Sequence, residues 1–81
     1  MKAATLRIAV TERTETHIDM SFAASVTELL PRLVPSALRR KLDRRSIDLL
    51  AIVAEASERG FVPGELFRLQ DGPKLVRAWL E

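Results

Sequence analysis

The sequence predicts an α+β domain of order β-β-α-α-β-β, a four-stranded antiparallel sheet with helices packed on one face. Three observations predict it. Apolar and polar residues alternate with period two in paired runs at both ends of the chain. Apolar residues recur at helical spacing between those pairs. No connection has the length of a convincing βαβ crossover, so the strands pair as hairpins.

The first strand places Leu6, Ile8 and Val10 on one side and Arg7, Ala9 and Thr11 on the other. Polar residues Glu12 to Glu15 then turn the chain. They include no glycine, so a loop longer than a tight two-residue turn is expected. The second strand repeats the pattern, with Ile18, Met20 and Phe22 opposed to His17, Asp19 and Ser21. Ser25-Val26-Thr27-Glu28 has the spacing of a capping box. Val26, Leu29, Leu30 and Leu33 form a helical stripe behind it. Pro31 lacks an amide donor, which makes this helix short, kinked or started nearer Thr27. Pro35-Ser36 restarts the chain, Ala37 to Leu42 are helix formers, and Asp43 to Arg45 form a break.

Ser46 can cap the next helix. Ile47, Leu50, Ala51 and Ala54 make one stripe on it, and Leu49, Ile52, Val53 and Ala56 widen that stripe. Its width predicts a well-buried helix with Leu50 in the core. Gly60 ends it, because glycine takes the left-handed conformation at low steric cost. The closing hairpin runs from Gly64 to Gln70 and from Lys74 to Glu81 around Asp71-Gly72. A two-residue turn at Asp71-Gly72 sets Phe67 opposite Val76 and Glu65 opposite Ala78.

These strings resemble the small bacterial SHOCT-like domains. The matching segments are Thr5–Val10, Ile18-Asp19-Met20-Ser21-Phe22, Leu29-Leu30-Pro31-Arg32-Leu33-Val34-Pro35, Ser46-Ile47-Asp48-Leu49-Leu50, Gly64-Glu65-Leu66 and Asp71-Gly72 with the closing strand. Pro31 inside the helix pattern and the lack of an acidic run before Asp71-Gly72 depart from the family. Such domains occur alone or attached to cell-envelope-stress and regulatory proteins. The resemblance implies an accessory or interaction module with no defined enzyme activity, and it transfers no functional residue.

The 81 residues are read as one small domain, 1–81. There is no cysteine, which excludes disulfides and thiolate metal sites, and His17 is the single histidine. Hydrophobic residues at 47% and charged residues at 30% place the chain among globular proteins. It shows no apolar run of membrane-spanning length and no signal-peptide pattern, so a cytoplasmic setting is expected. Gly60, Gly64 and Gly72 form no phosphate-cradling motif, and no cofactor is expected. His17, Asp19 and Ser21 share a strand face, but steps of about 6–7 Å are too long for a nucleophile–base bond. Glu55 and Glu58 are neighbours on a helix without the pocket that acid–base catalysis needs. No enzyme activity is expected.

Two surfaces remain as candidates. Arg39, Arg40, Lys41, Arg44 and Arg45 form a basic cluster in a chain of net charge +2. Such a cluster can attract nucleic acid or another anion, although no aromatic residue interrupts it for base stacking. The second surface is the back of the closing hairpin, where the alternation gathers Leu66, Arg68, Leu75, Arg77 and Trp79. An apolar patch rimmed by arginines suits a protein interface, and a small domain gains from burying it. Self-association as a homodimer through this face, or docking of another protein, is the expected function; a nucleic-acid or anion binding domain is the alternative. In a monomer, Trp79 would instead fold over Leu66 and Leu75.

Overall fold

Two hairpins, one from each end of the chain, share a single sheet. A computed structural model describes residues 1–81. Strands β1 (Thr5–Glu12) and β2 (Glu15–Ala23) form the first hairpin, and β3 (Gly64–Asp71) and β4 (Lys74–Leu80) the second. They join along β1 and β4, so the antiparallel sheet has the order β2-β1-β4-β3. Strands β2 and β3 are therefore its two edges. The α+β class and the β-strand order of the chain are as the sequence predicts.

Between the hairpins lie a 3-10 segment (Ala24–Leu29) and three helices: α1 (Leu30–Leu33), α2 (Ser36–Arg44) and α3 (Leu49–Glu58). Leu6, Ile8, Phe67, Leu69, Val76, Ala78 and Leu80 from the sheet meet Leu30, Val34, Leu42 and Leu49 from the helical layer. All the buried sheet residues point to one face, because side chains alternate across each strand.

Several local features differ from the sequence reading. The first turn is tight: Glu12 pairs with Glu15, and Arg13 takes a left-handed φ of 57° in place of a glycine. The capping box is not formed. Thr27 is buried, and its hydroxyl donates to the Ala24 carbonyl at 2.6 Å, which suits the tighter 3-10 winding. Pro31 falls in the first turn of α1, where its missing N–H has no helical acceptor. Ser46 does not cap α3; it sits at φ 59°. Asp48 does so, accepting from the amides of Leu50 at 3.0 Å and Ala51 at 3.3 Å.

Helix α3 lies half on the surface rather than well buried. Leu49 and Ala56 are buried, and Ile52 and Val53 are packed against the core. Leu50 is 72% exposed, and Ala51 and Ala54 also face outward. The core side is thus the stripe through Leu49, and Leu50 is not a core residue. Gly60 ends the helix as expected, at φ 79°, and the next amide, that of Phe61, donates to the Ala56 carbonyl at 2.8 Å.

The closing hairpin turns one residue later than the sequence suggests. Asp71 pairs with Lys74, leaving Gly72-Pro73 as the turn. The Gln70 side-chain amide donates to the Gly72 carbonyl at 2.7 Å and the Lys74 carbonyl at 3.0 Å, which fastens it. The register moves by two, so Phe67 faces Ala78 and Leu69 faces Val76. A shift of two keeps the side chains from Phe67 to Ala78 on their faces.

Candidate functional site

The back of the sheet holds a ladder of charge around one indole. Arg7 on β1 pairs with Trp79 on β4, which pairs with Glu65 on β3. The Arg7 guanidinium lies 5.7 Å from the Trp79 ring centre and that of Arg77 lies 5.1 Å away, both within cation–π reach. Arg7 also donates to both Asp19 carboxylate oxygens, at 2.6 and 2.8 Å, and to Glu81 at 3.1 Å. The hydrogen bonds to Asp19 are the main reason its pKa is raised. Trp79 donates from its indole N–H to Glu81 at 3.0 Å. Glu65 accepts from Arg68 at 3.3 Å and Arg77 at 3.5 Å.

Four of the five residues assigned to this face from sequence are there: Arg68, Leu75, Arg77 and Trp79. Leu66 is not. A register irregularity between Glu65 and Phe67 inserts one residue, and Leu66 packs against the hydrophobic core. Leu75 stands between Gln70 and Thr11, with Arg77 separating it from Trp79. The continuous apolar patch expected on this face is therefore absent. Arg7, Asp19 and Glu81 complete the ladder, and sequence reasoning missed them because Arg7 and Glu81 lie 74 positions apart.

The basic cluster is divided by its partners. Arg39 donates to the Pro31 carbonyl, and Lys41 is paired with Asp71. The Lys41 hydrogen bond holds the Asp71 carboxyl below the usual carboxylate range, with Arg45 and Lys74 adding attraction. Arg40 and Arg44, one helical turn apart on α2, are exposed and make no ion pair. His17 meets Glu12 at 3.2 Å and Asp19 is held by Arg7, so His17, Asp19 and Ser21 are not assembled into a relay. Glu55 is bound by Arg59 at 2.6 Å.

A third surface lies along β2. Ile18 and Met20 point to the same side as Leu6 and Ile8 but are 44% and 41% exposed, because the helical layer stops short of them. The 3-10 segment covers only the far end of β2, where Phe22 is half-buried against the core. The alternation places these residues on the apolar face of the first hairpin, and there they form an apolar shelf beside an open sheet edge. No helix is long and apolar enough to cross a membrane. Comparison with protein-family models, with curated proteins and with solved structures gives no match for this chain.

Proposed function

We propose that this chain is a non-enzymatic self-association module. The observation that carries the reading is the uncovered row of Ile18 and Met20 beside the edge of β2. Exposed large apolar side chains lower the free energy of association when a partner's apolar side chains pack against them. An edge strand adds unpaired backbone groups that a partner can satisfy. The resemblance to SHOCT-like accessory domains of bacterial regulatory or stress-related proteins belongs to the same proposal, as does a cytoplasmic setting.

Sedimentation of the wild-type chain over about a hundredfold concentration range tests it. The mass should rise from monomer toward dimer, and Met20→Lys should remain a folded monomer. Wild type that stays monomeric throughout contradicts the reading. The second reading, binding of an anion or nucleic acid, is favoured by Arg40, Arg44 and Arg45, which are exposed and make no ion pair. Salt-dependent retention on heparin, lost in Arg40→Gln/Arg44→Gln, would support it.

A further inference from the structure

We infer that the partner is a second copy paired along β2, the two β2 strands running antiparallel about Met20 and joining two four-stranded sheets into one. This rests on the self-association reading and specifies its surface and register.

The hydrogen-bond phase of the sheet fixes which groups are free. Thr5 exchanges both backbone bonds with Glu81, at 2.9 Å each, so the odd residues of β1 bond toward β4. Its even residues bond toward β2, as the Ala24 amide donating to the Ala4 carbonyl at 3.0 Å also requires. On β2, therefore, Ile18, Met20 and Phe22 direct N–H and C=O toward β1. Asp19, Ser21 and Ala23 direct theirs outward from the edge. Before Ile18 the pairing with β1 shifts register at His17, so the regular edge runs from Ile18 to Ala23.

A two-fold pairing of this segment has to place outward-bonding residues opposite one another. Centring it on Met20 sets Asp19 opposite Ser21 of the partner subunit, and both are outward-bonding. It also sets Ile18 opposite Phe22 of the partner subunit, and Met20 opposite the partner's Met20. Each of these side chains gains an apolar cross-strand neighbour and loses part of its exposure along the junction. Each Asp19 gains a serine hydroxyl donor opposite, and its charge is already met by Arg7. Centring on Asp19 would oppose two carboxylates directly, and like charges opposite one another destabilise a sheet. Centring on Ser21 pushes Ile18 beyond the partner strand, against the 3-10 segment.

Each edge strand carries one register irregularity, at His17 in β2 and at Leu66 in β3, and the two edges differ in what flanks it. Strand β3 carries the irregularity at Leu66, which disrupts its ladder, and Arg68 on its outward-bonding positions. Phe67 and Leu69 on β3 are 5% and 2% exposed beneath the helical layer. From Ile18 to Ala23, β2 has no proline, no lysine and no bulge, and its one charge, Asp19, is already neutralised by Arg7, whereas Arg68 guards β3.

Single-cysteine variants test the register, because the chain has no thiol of its own. In this pairing the two Met20 Cα atoms are about 4.5 Å apart, within disulfide range. Met20→Cys should oxidise to a covalent dimer that reductant reverses. Asp19→Cys and Ser21→Cys, with their identical residues on the diagonal, should cross-link at least about tenfold more slowly. Exposure of Met20 keeps folding out of question, and circular dichroism of each variant verifies it. Faster cross-linking at Asp19→Cys or Ser21→Cys overturns the register. Absence of cross-linking at all three positions, with wild type sedimenting as a dimer, overturns the edge and leaves self-association standing. A monomeric wild type overturns both.

Discussion

Replacing Leu49 and Leu50 singly by alanine should give contrasting results from adjacent residues. Leu49 is 6% exposed and belongs to the core; Leu50 is 72% exposed. Leucine to alanine removes three carbons, worth about 2.4 kcal/mol of transfer free energy when fully buried. At Leu49 nearly all of this is lost, and the void adds to it, for a total of about 2.5–4 kcal/mol. At Leu50 only the covered fraction counts, about 0.7 kcal/mol, and alanine's better helix propensity returns a few tenths. The net loss there should be about 0.5 kcal/mol or less. Urea unfolding followed by far-ultraviolet circular dichroism, at one fixed protein concentration, measures both. Fixing the concentration matters because association stabilises the folded state by mass action. A loss above about 1 kcal/mol for Leu50→Ala, or below about 1 kcal/mol for Leu49→Ala, would refute the helix phase described above.

Asp48→Ala should cost about 1 kcal/mol, since it leaves the Leu50 and Ala51 amides without their side-chain acceptor; Ser46→Ala should cost less, and the same urea assay separates them. Asp71→Asn should destabilise the protein at neutral pH, where the ionised carboxylate is paired with Lys41. The folded pKa is lowered, so this stability is present above the unfolded value of about 3.9 and is lost as pH falls through the lower folded value. The gap between wild type and Asp71→Asn should therefore close below about pH 4; a gap independent of pH would contradict the pairing.

Strand positions were legible because period two survives a register error of two residues: Phe67, Leu69, Val76 and Ala78 keep their face although the turn lies at Gly72-Pro73. Leu66 was not legible, because the inserted residue that turns it inward follows from β3–β4 geometry and leaves no mark in the alternation. The phase of α3 escaped for a related reason. Apolar residues lie on both sides of that helix, so the pattern alone cannot choose between Leu49 and Leu50. The positions of the basic cluster could be read directly, but Asp71, the partner of Lys41, is 30 residues away. The shelf at Ile18 and Met20 needed the structure. Alternation marks an apolar face without saying how far short helices reach across it, and the ten residues of α3 span only about 15 Å.

Amide hydrogen exchange along β2, followed residue by residue at low and high protein concentration, tests sheet-edge association most directly. The amides of Ile18, Met20 and Phe22 bond to β1 in the single chain and should be protected at both concentrations. Those of Asp19 and Ser21 point away from β1 and should exchange freely when dilute. They should gain protection of about tenfold or more at high concentration, as each finds a carbonyl on the partner strand. Asp19 and Ser21 amides that exchange equally fast at both concentrations, in a sample that sediments as a dimer, would contradict the account.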